Sequence, residues 1–363
     1  MYGNKLKLSV FGESHGEAIG VVIDGFPAGL RLDFDAIGAF MKRRAPGGAL
    51  STTRKESDIP RVVSGVSAGV TNGYPICALI ENENQRSSDY GNTAGDKSRL
   101  PRPNHADYAA MLKYGEFTEL HGGGHFSGRL TAPLTFAGAL CTQLLAGRDI
   151  EIAAHLRQIL NVSDSRFDGN VTAKELRELK KREFPTIDVM AEEAFKTIIG
   201  SAKNRGDSVG AIIECAAVGL PPALGEHMFE SVEAEISQLV FAIPAVKGVE
   251  FGSGFDFARM YGSEANDAYE YRDGKVVTRT NHCGGIVGGM TSGMPIIFSV
   301  AMKPTPSIYL EQDTVDLDKQ TNAKLTIKGR HDPCVAIRAV PVVEAVTAVA
   351  LTNLLLSGEG RKL

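Results

Sequence analysis

The sequence predicts an α+β fold with a mainly antiparallel sheet, in one large domain over residues 1–363. Strand patterns outnumber what a βαβ alternation would supply, and helical patterns come in separate blocks. No low-complexity linker divides the chain, although its length alone would allow about two domains.

With 43% hydrophobic and 23% charged residues, the chain has room for a large core. The net charge of −4 disfavours nucleic-acid binding by bulk charge. The five cysteines (Cys77, Cys141, Cys215, Cys283, Cys334) are far apart and mostly in apolar surroundings. That pattern fits reduced cytosolic thiols, not a disulfide framework or a zinc site. The first residues form no apolar signal region, and no run reaches the ~18 apolar residues of a membrane span. Neither a membrane nor a nucleic acid is expected as a partner. The 40 glycines point to tight turns or to backbone that approaches a ligand.

Residues 7–11 and 18–25 read as a hairpin around Gly12-Glu13-Ser14-His15-Gly16. His15 is either a hydrogen-bonded turn residue or an acid or base near neutral pH. Residues 35–44 read as a short helix with Ile37, Phe40 and Met41 at helical spacing. Lys42-Arg43-Arg44 suits its C-terminus, and the glycine-rich, basic loop through Thr52-Thr53-Arg54-Lys55 also fits an anion. Strands are expected at 62–66 and 75–82 around the Asn72-Gly73 turn, then polar loop over 83–101. Arg102-Pro103-Asn104-His105-Ala106-Asp107 opens a helix, with Asn104 or a neighbour as cap and His105 at the start. This is an anion-attracting helix N-terminus or a capping-box remnant.

His121-Gly122-Gly123-Gly124-His125-Phe126-Ser127-Gly128-Arg129 leads into an apolar helix at 131–146, as an anion cradle or a flexible connection. His121 and His125 lack partners at metal-ligand spacing, so no metal is expected. Residues 151–200 show amphipathic helical patterns at 172–182 and 186–201. Strands follow at 207–215, 246–251 and 255–260, with a helix at 230–240 and a polar hairpin at 262–279. The Gly-Gly pairs at 284–285 and 288–289 would let a flat ligand approach backbone, but no GxGxxG unit marks a Rossmann domain. A strand at 296–302 delivers Lys303-Pro304-Thr305-Pro306-Ser307, a phosphate grip or a plain turn. Lys328-Gly329-Arg330-His331-Asp332-Pro333-Cys334 crowds reactive side chains between a glycine and a proline. Asp332 is expected to cap a helix N-terminus with Pro333 at its first position while the turn presents Arg330 and His331, and an apolar helix follows at 342–356.

Several of these stretches together resemble chorismate synthase. They include Phe11-Gly12-Glu13-Ser14-His15-Gly16, Ser127-Gly128-Arg129 with Thr131, and Gly329-Arg330-His331-Asp332-Pro333-Cys334 running on to Arg338-Ala339-Val340-Pro341. Further matches are Ile80-Glu81-Asn82 with Gln85-Arg86-Ser87 and Asp89-Tyr90, Arg102-Pro103 with His105-Ala106-Asp107, Gly206-Asp207-Ser208, Val246-Lys247-Gly248-Val249-Glu250-Phe251-Gly252, Gly284-Gly285-Ile286 with Gly288-Gly289, and Lys303-Pro304-Thr305. They occur in the family's order over residues 11–341.

The resemblance implies a β-α-β sandwich, with helices between antiparallel sheets, in a cytoplasmic homotetramer. It implies a lyase that removes phosphate from 5-enolpyruvylshikimate 3-phosphate by 1,4-anti elimination to give chorismate. Reduced FMN is required without net redox change, and NADPH is expected only as an external electron source. Residue by residue, it makes His15 the acid on the leaving phosphate, His105 the histidine that keeps the flavin protonated, and Asp332 the proton relay. Arg43, Arg102, Arg129 and Arg330 become substrate clamps. His125, Phe126, Ser127, Ala265, Asn266, Gly288, Lys303, Thr305 and Ser307 fall at FMN positions, which Arg330 also approaches. The sequence departs from the pattern at His125 (commonly arginine), at Asn104 (commonly glycine), at Pro306, and at Ala49-Leu50, where a loop arginine is missing and Arg54 is a candidate substitute. A flavin reductase using NAD(P)H, or a binding protein without turnover, are the competing expectations.

Overall fold

The computed structural model describes residues 1–47, 50–52, 56–83, 99–118, 121–327 and 331–358. The expectations at Arg54, Gln85-Arg86-Ser87, Asp89-Tyr90 and Lys328-Gly329-Arg330, and most of the loop over 83–101, lie outside the described residues.

β1 (Lys7–Gly12) and β2 (Ala18–Asp24) form the expected hairpin. α1 (Phe34–Arg44) starts where the Asp33 carboxylate accepts from the Ala36 amide, and it buries Ile37, Met41 and Arg44 on one face. Next come β3 (Arg61–Ser64), the small ladder of β4 (Val66–Ser67) and β5 (Val70–Thr71), and β6 (Ile76–Glu81). β6 pairs with β2 and β3, giving a four-stranded antiparallel sheet in the order β1-β2-β6-β3. α2 (Asp107–Tyr114) has no side-chain cap, so the cap expected near Asn104 is corrected. Asn104 instead takes the left-handed conformation, at φ +58°, that turns the chain before the helix. α3 (Thr131–Ala146) has the expected bounds.

β7 (Glu151–Ile159) has no counterpart in the sequence expectation, although it is buried almost throughout. β8 (Val162–Ser163) pairs with its end, followed by α4 (Ala173–Lys180), α5 (Val189–Asn204) and β9 (Ala211–Val218), which starts later than expected. The delay has a cause. Residues 207–210 form a bracing arm, in which the Val209 amide donates to the Pro333 carbonyl at 2.8 Å and the Ser208 hydroxyl to the Thr305 carbonyl at 2.7 Å. α6 (Val232–Val240) and β10 (Val246–Phe251) follow. The strand expected at 255–260 is a 3-10 turn, Gly254–Arg259, because Gly252 and Gly254 take positive φ and end the extended chain. α7 (Gly262–Ala265) precedes the β11 (Tyr269–Arg272) and β12 (Lys275–Thr278) hairpin. β13 (Ile286–Val287), β14 (Met290–Thr291), β15 (Ile296–Met302), the β16 (Gln312–Asp316) and β17 (Thr321–Leu325) hairpin and α8 (Ala336–Gly358) complete the order. α8 begins before 342 and keeps Pro341 in its second turn.

The second sheet is five-stranded and antiparallel, in the order β10-β15-β9-β7-β8. α3 packs on β2 and β6, α8 packs on β7 and β9, and the two helices pack on each other. The helical layer therefore lies between the sheets, as the resemblance implies. Both helices are apolar and buried nearly all round, the signature of a central layer. Gly138 permits their close approach: a Cβ there would stand 2.3 Å from Ala345 Cβ. α8 is long and apolar enough to cross a membrane by length and composition, yet it is the core of this protein. Gly284, Gly285 and Gly289 pack against the chain's own backbone, and a Cβ at Gly285 would meet the Pro295 carbonyl oxygen at 2.3 Å; Gly288 alone of the four is exposed and open.

Candidate active site

A cavity of about 1000 Å³ opens at one end of the sandwich. One wall is apolar and includes Leu8, Val10, Leu134, Ile243 and Val342. The other is polar, built from segments at 102–106, 125–129, 303–307 and 331–338.

His105 is fixed by a compact triad. Its Nδ1 stands 2.6 Å from Asp107 Oδ1, so the ionised carboxylate keeps the proton on Nδ1. Nε2 faces the glycine loop, where a Cβ on Gly123 would come within 3.5 Å of it. Arg102 completes the triad, with Nε and Nη2 on the two Asp107 oxygens at 2.7 and 2.8 Å. Burial alone would raise the Asp107 carboxyl, but the Arg102 and His105 bonds hold it well below the usual carboxylate range.

Asp58 sits in a buried cluster between Arg44 and Arg129, bonding to both. Arg129 also donates to Asn82 Oδ1 at 2.9 Å and to the Glu81 carbonyl at 3.0 Å. Arg44 reaches the Thr131 hydroxyl and the Gly128 carbonyl, each at 3.1 Å. Burial, partly opposed by Asp58, lowers Arg44 to about 10. Burial pushes Asp58 up, yet the two arginines hold it below its ordinary value. Arg43 points elsewhere. It grips Glu344 with two bonds of 2.6 and 2.9 Å, tying α1 to α8, and does not line the cavity. The expected clamp is thus corrected: of the adjacent pair, Arg44 reaches the site.

Asp332 is anchored by the Thr52 amide at 2.8 Å and Arg338 Nη1 at 2.6 Å, so it does not cap α8. Arg338 also donates from Nε to the Arg44 carbonyl at 3.0 Å. His331 lines the cavity beside Asp332, while Arg330 lies outside the described residues. His15 is half-buried on the β1–β2 corner, with Ser14 Oγ 3.1 Å from its Nδ1, and is not in the cavity wall. The corner is held to the site from both sides. The Ser14 amide donates to the Gly124 carbonyl at 3.2 Å, and Asn82 Nδ2 donates to the Glu13 and Gly16 carbonyls at 2.9 and 2.7 Å. His125 Nδ1 donates to the Gly12 carbonyl at 2.9 Å.

Of the residues proposed as cofactor positions, His125, Phe126, Ser127, Lys303, Thr305 and Ser307 line the cavity; Ala265, Asn266 and Gly288 do not. The buried Thr305 hydroxyl oxygen has no hydrogen-bond partner among the described residues. An orphaned polar atom in a roomy, half-apolar cavity suits a large polar-tailed ligand such as a flavin mononucleotide. The sequence reading missed Arg44, Asp58 and Asp107 as site residues. Arg44 had a signal, since Ile37, Met41 and Arg44 repeat at helical spacing; Asp58, alone in a loop, had none.

The model of the chorismate synthase family matches residues 6–356. Chorismate synthase of Lancefieldella parvula is 44% identical over 368 residues, covering 98% of this chain and 96% of the relative. That of Pyrococcus abyssi is 45% identical over 361 residues, covering 98% and 97%. A crystal structure of chorismate synthase matches with a TM-score of 0.75 at 26% identity, covering 99% of this chain and 94% of that one.

Proposed function

The chain belongs to the chorismate synthase family, and we propose that its cavity is where it eliminates phosphate from 5-enolpyruvylshikimate 3-phosphate to form chorismate. It is a phosphate-eliminating lyase that acts on a small anionic molecule, at the step that supplies chorismate for aromatic biosynthesis. The observation that carries the reading is the His105–Asp107–Arg102 triad at a cavity that three further arginines, Arg44, Arg129 and Arg338, also line.

Reduced FMN, when bound, supplies electron density that helps phosphate depart and leaves no net redox change. His125, Phe126, Ser127, Lys303, Thr305 and Ser307 would hold it, with the apolar wall excluding water. His105 presents Nε2 with its tautomer set by Asp107, which suits a histidine that keeps the reduced cofactor protonated. His15 stands outside the cavity wall, on a corner that Asn82 and His125 tie to the site, and its proposed role as acid toward the leaving phosphate requires that corner to approach the cavity. Asp332, bonded to Arg338 and to the Thr52 amide, relays the proton from the flavin side. Arg102 and Arg129, with Arg44 in place of Arg43, position the substrate's anionic groups, and Arg330 belongs to the same proposal. Catalysis in one domain of residues 1–363, a cytoplasmic location and a homotetramer are parts of the same reading. Assembly would also give Ala265, Asn266 and Gly288, which stand off this cavity, a route to a flavin held by another protomer. NADPH serves only an external reductant.

The test is anaerobic turnover of 5-enolpyruvylshikimate 3-phosphate with dithionite-reduced FMN. Phosphate release and chorismate absorbance should rise in step. Binding of both ligands without product would replace this reading with that of a binding protein, and NADPH oxidation without added reductase would favour a reductase.

A further inference from the structure

A second, smaller pocket of about 60 Å³ adjoins the main cavity. Its wall includes Ser51, Lys203, Asp207 and Tyr309, and among the described residues the two spaces share Ser307, His331 and Asp332. Lys203 and Tyr309 are exposed, so the pocket reaches solvent at one end and the main cavity at the other. Backbone bonds fix the outer end. The Tyr309 amide donates to the Gly206 carbonyl and the Asp207 amide to the Ala202 carbonyl, each at 2.9 Å, and Asp207 Oδ1 accepts from the Ser208 amide at 2.8 Å. The inner end is fixed as well: both Asp332 oxygens are bonded, and the Tyr309 and His331 ring centroids lie 6.0 Å apart. The space exceeds the ~10–15 Å³ that one water needs, and hydroxyl and charged side chains line it. Of the three shared residues, only His331 and Asp332 have side chains that work as acids or bases.

The reaction gives such a passage a task. In a 1,4-anti elimination the C6 proton and the phosphate leave from opposite faces of the substrate. The C6–H electron pair passes through the new diene to the leaving oxygen as its bond to carbon breaks. His15 gives the phosphate a proton, while the C6 proton arrives at Asp332 from the flavin side. Each turnover thus leaves Asp332 one proton richer and His15 one proton poorer, with none consumed overall. The anti geometry holds the two groups apart, so each resets through solvent.

We propose that the small pocket is the proton exit of Asp332, with His331 passing the proton from the carboxyl to water in the pocket. An imidazole takes a proton at one ring nitrogen and releases one from the other, and near neutral pH it does both readily. The inference rests on the proposed function, in which Asp332 relays a proton.

The experiment compares wild type, His331→Ala and His331→Gln in anaerobic turnover with dithionite-reduced FMN, in H₂O and in D₂O, with and without added imidazole. Thermal unfolding checks that the variants are folded, and Gln keeps polar bulk at 331 should Ala unfold. Both variants should lose kcat roughly tenfold or more with KM for the substrate changed less than about twofold. The solvent isotope effect on kcat should grow, and imidazole should restore kcat in His331→Ala while leaving wild type unchanged. An unchanged kcat, a loss that falls on KM, or a kcat loss with neither imidazole rescue nor a larger isotope effect overturns this proposal alone. Wild type that binds both ligands without turnover removes the relay, and the exit falls together with the proposed function.

Discussion

Around His155, buried charge is closed on itself; around the cavity, it is open on one side. His155 lies between Asp164 and Glu214, at 3.0 and 3.1 Å, with all three side chains almost wholly inaccessible. The same acids accept backbone amides, Asp164 from Ile187 and Asp188 and Glu214 from Phe167, so the cluster staples β7 and β9 to the segments before α5. The cavity uses the same chemistry, with carboxylates locking Arg44, Arg102 and Arg338, but its wall, with His105 in it, encloses a space of about 1000 Å³. A closed cluster of this kind orders the chain, and an open one receives a ligand.

That contrast is breakable by mutation. The largest expected effect is on turnover: His105→Ala should lower kcat by about 10²–10⁴-fold with an unchanged unfolding midpoint. Near-normal kcat would remove His105 from the chemistry. Next is Asp58→Asn, which keeps the shape but removes the carboxylate that Arg44 and Arg129 share, leaving Arg129 only the buried Glu56 at 3.6 Å. Denaturant unfolding should register a loss of about 3–5 kcal/mol, and a loss under ~1 would show that the cluster is not buried charge in the sense argued.

His155→Gln should act in the opposite sense to His105→Ala, lowering stability by about 1–3 kcal/mol with kcat per folded molecule retained. The cluster also has a pH signature. Burial would lower the His155 pKa, but Asp164 and Glu214 raise it above the ordinary 6.5. Its stabilisation is therefore complete below the unfolded value and is lost as pH rises through the raised folded value. Unfolding curves from pH 6 upward should show this decline in wild type and not in His155→Gln; parallel curves would sink the assignment. The smallest effect belongs to Asn104→Gly. Both residues accept a positive φ, so stability should change by less than ~1 kcal/mol and turnover should persist.

The open region was the more legible of the two. His105, Asp332, Ser127 and Lys303 announce themselves because reactive side chains beside glycine or proline are conspicuous in one dimension. The closed cluster was invisible, since His155, Asp164 and Glu214 meet only when β7 and β9 pair. β7 itself was missed because it is buried on both faces, so polar and apolar residues do not alternate, and Ala153-Ala154 carries no strand preference. Pro341 hid the true start of α8, although a proline within the first two turns removes only one backbone bond. Arg43 and Arg44 were separable only by helical phase, which buries position 44 with 37 and 41.

The place of α8 in the chain has a consequence for synthesis. Residues 336–358 follow every strand of both sheets, yet they form the layer on which the second sheet rests and against which α3 packs. While the ribosome is still extending the chain, the inner faces of the strands have no partner, and the apolar surface of α3 waits with them. Commitment to the native state is therefore deferred until α8 has left the ribosome, and the nascent chain depends on whatever shields its waiting sheets in the interval.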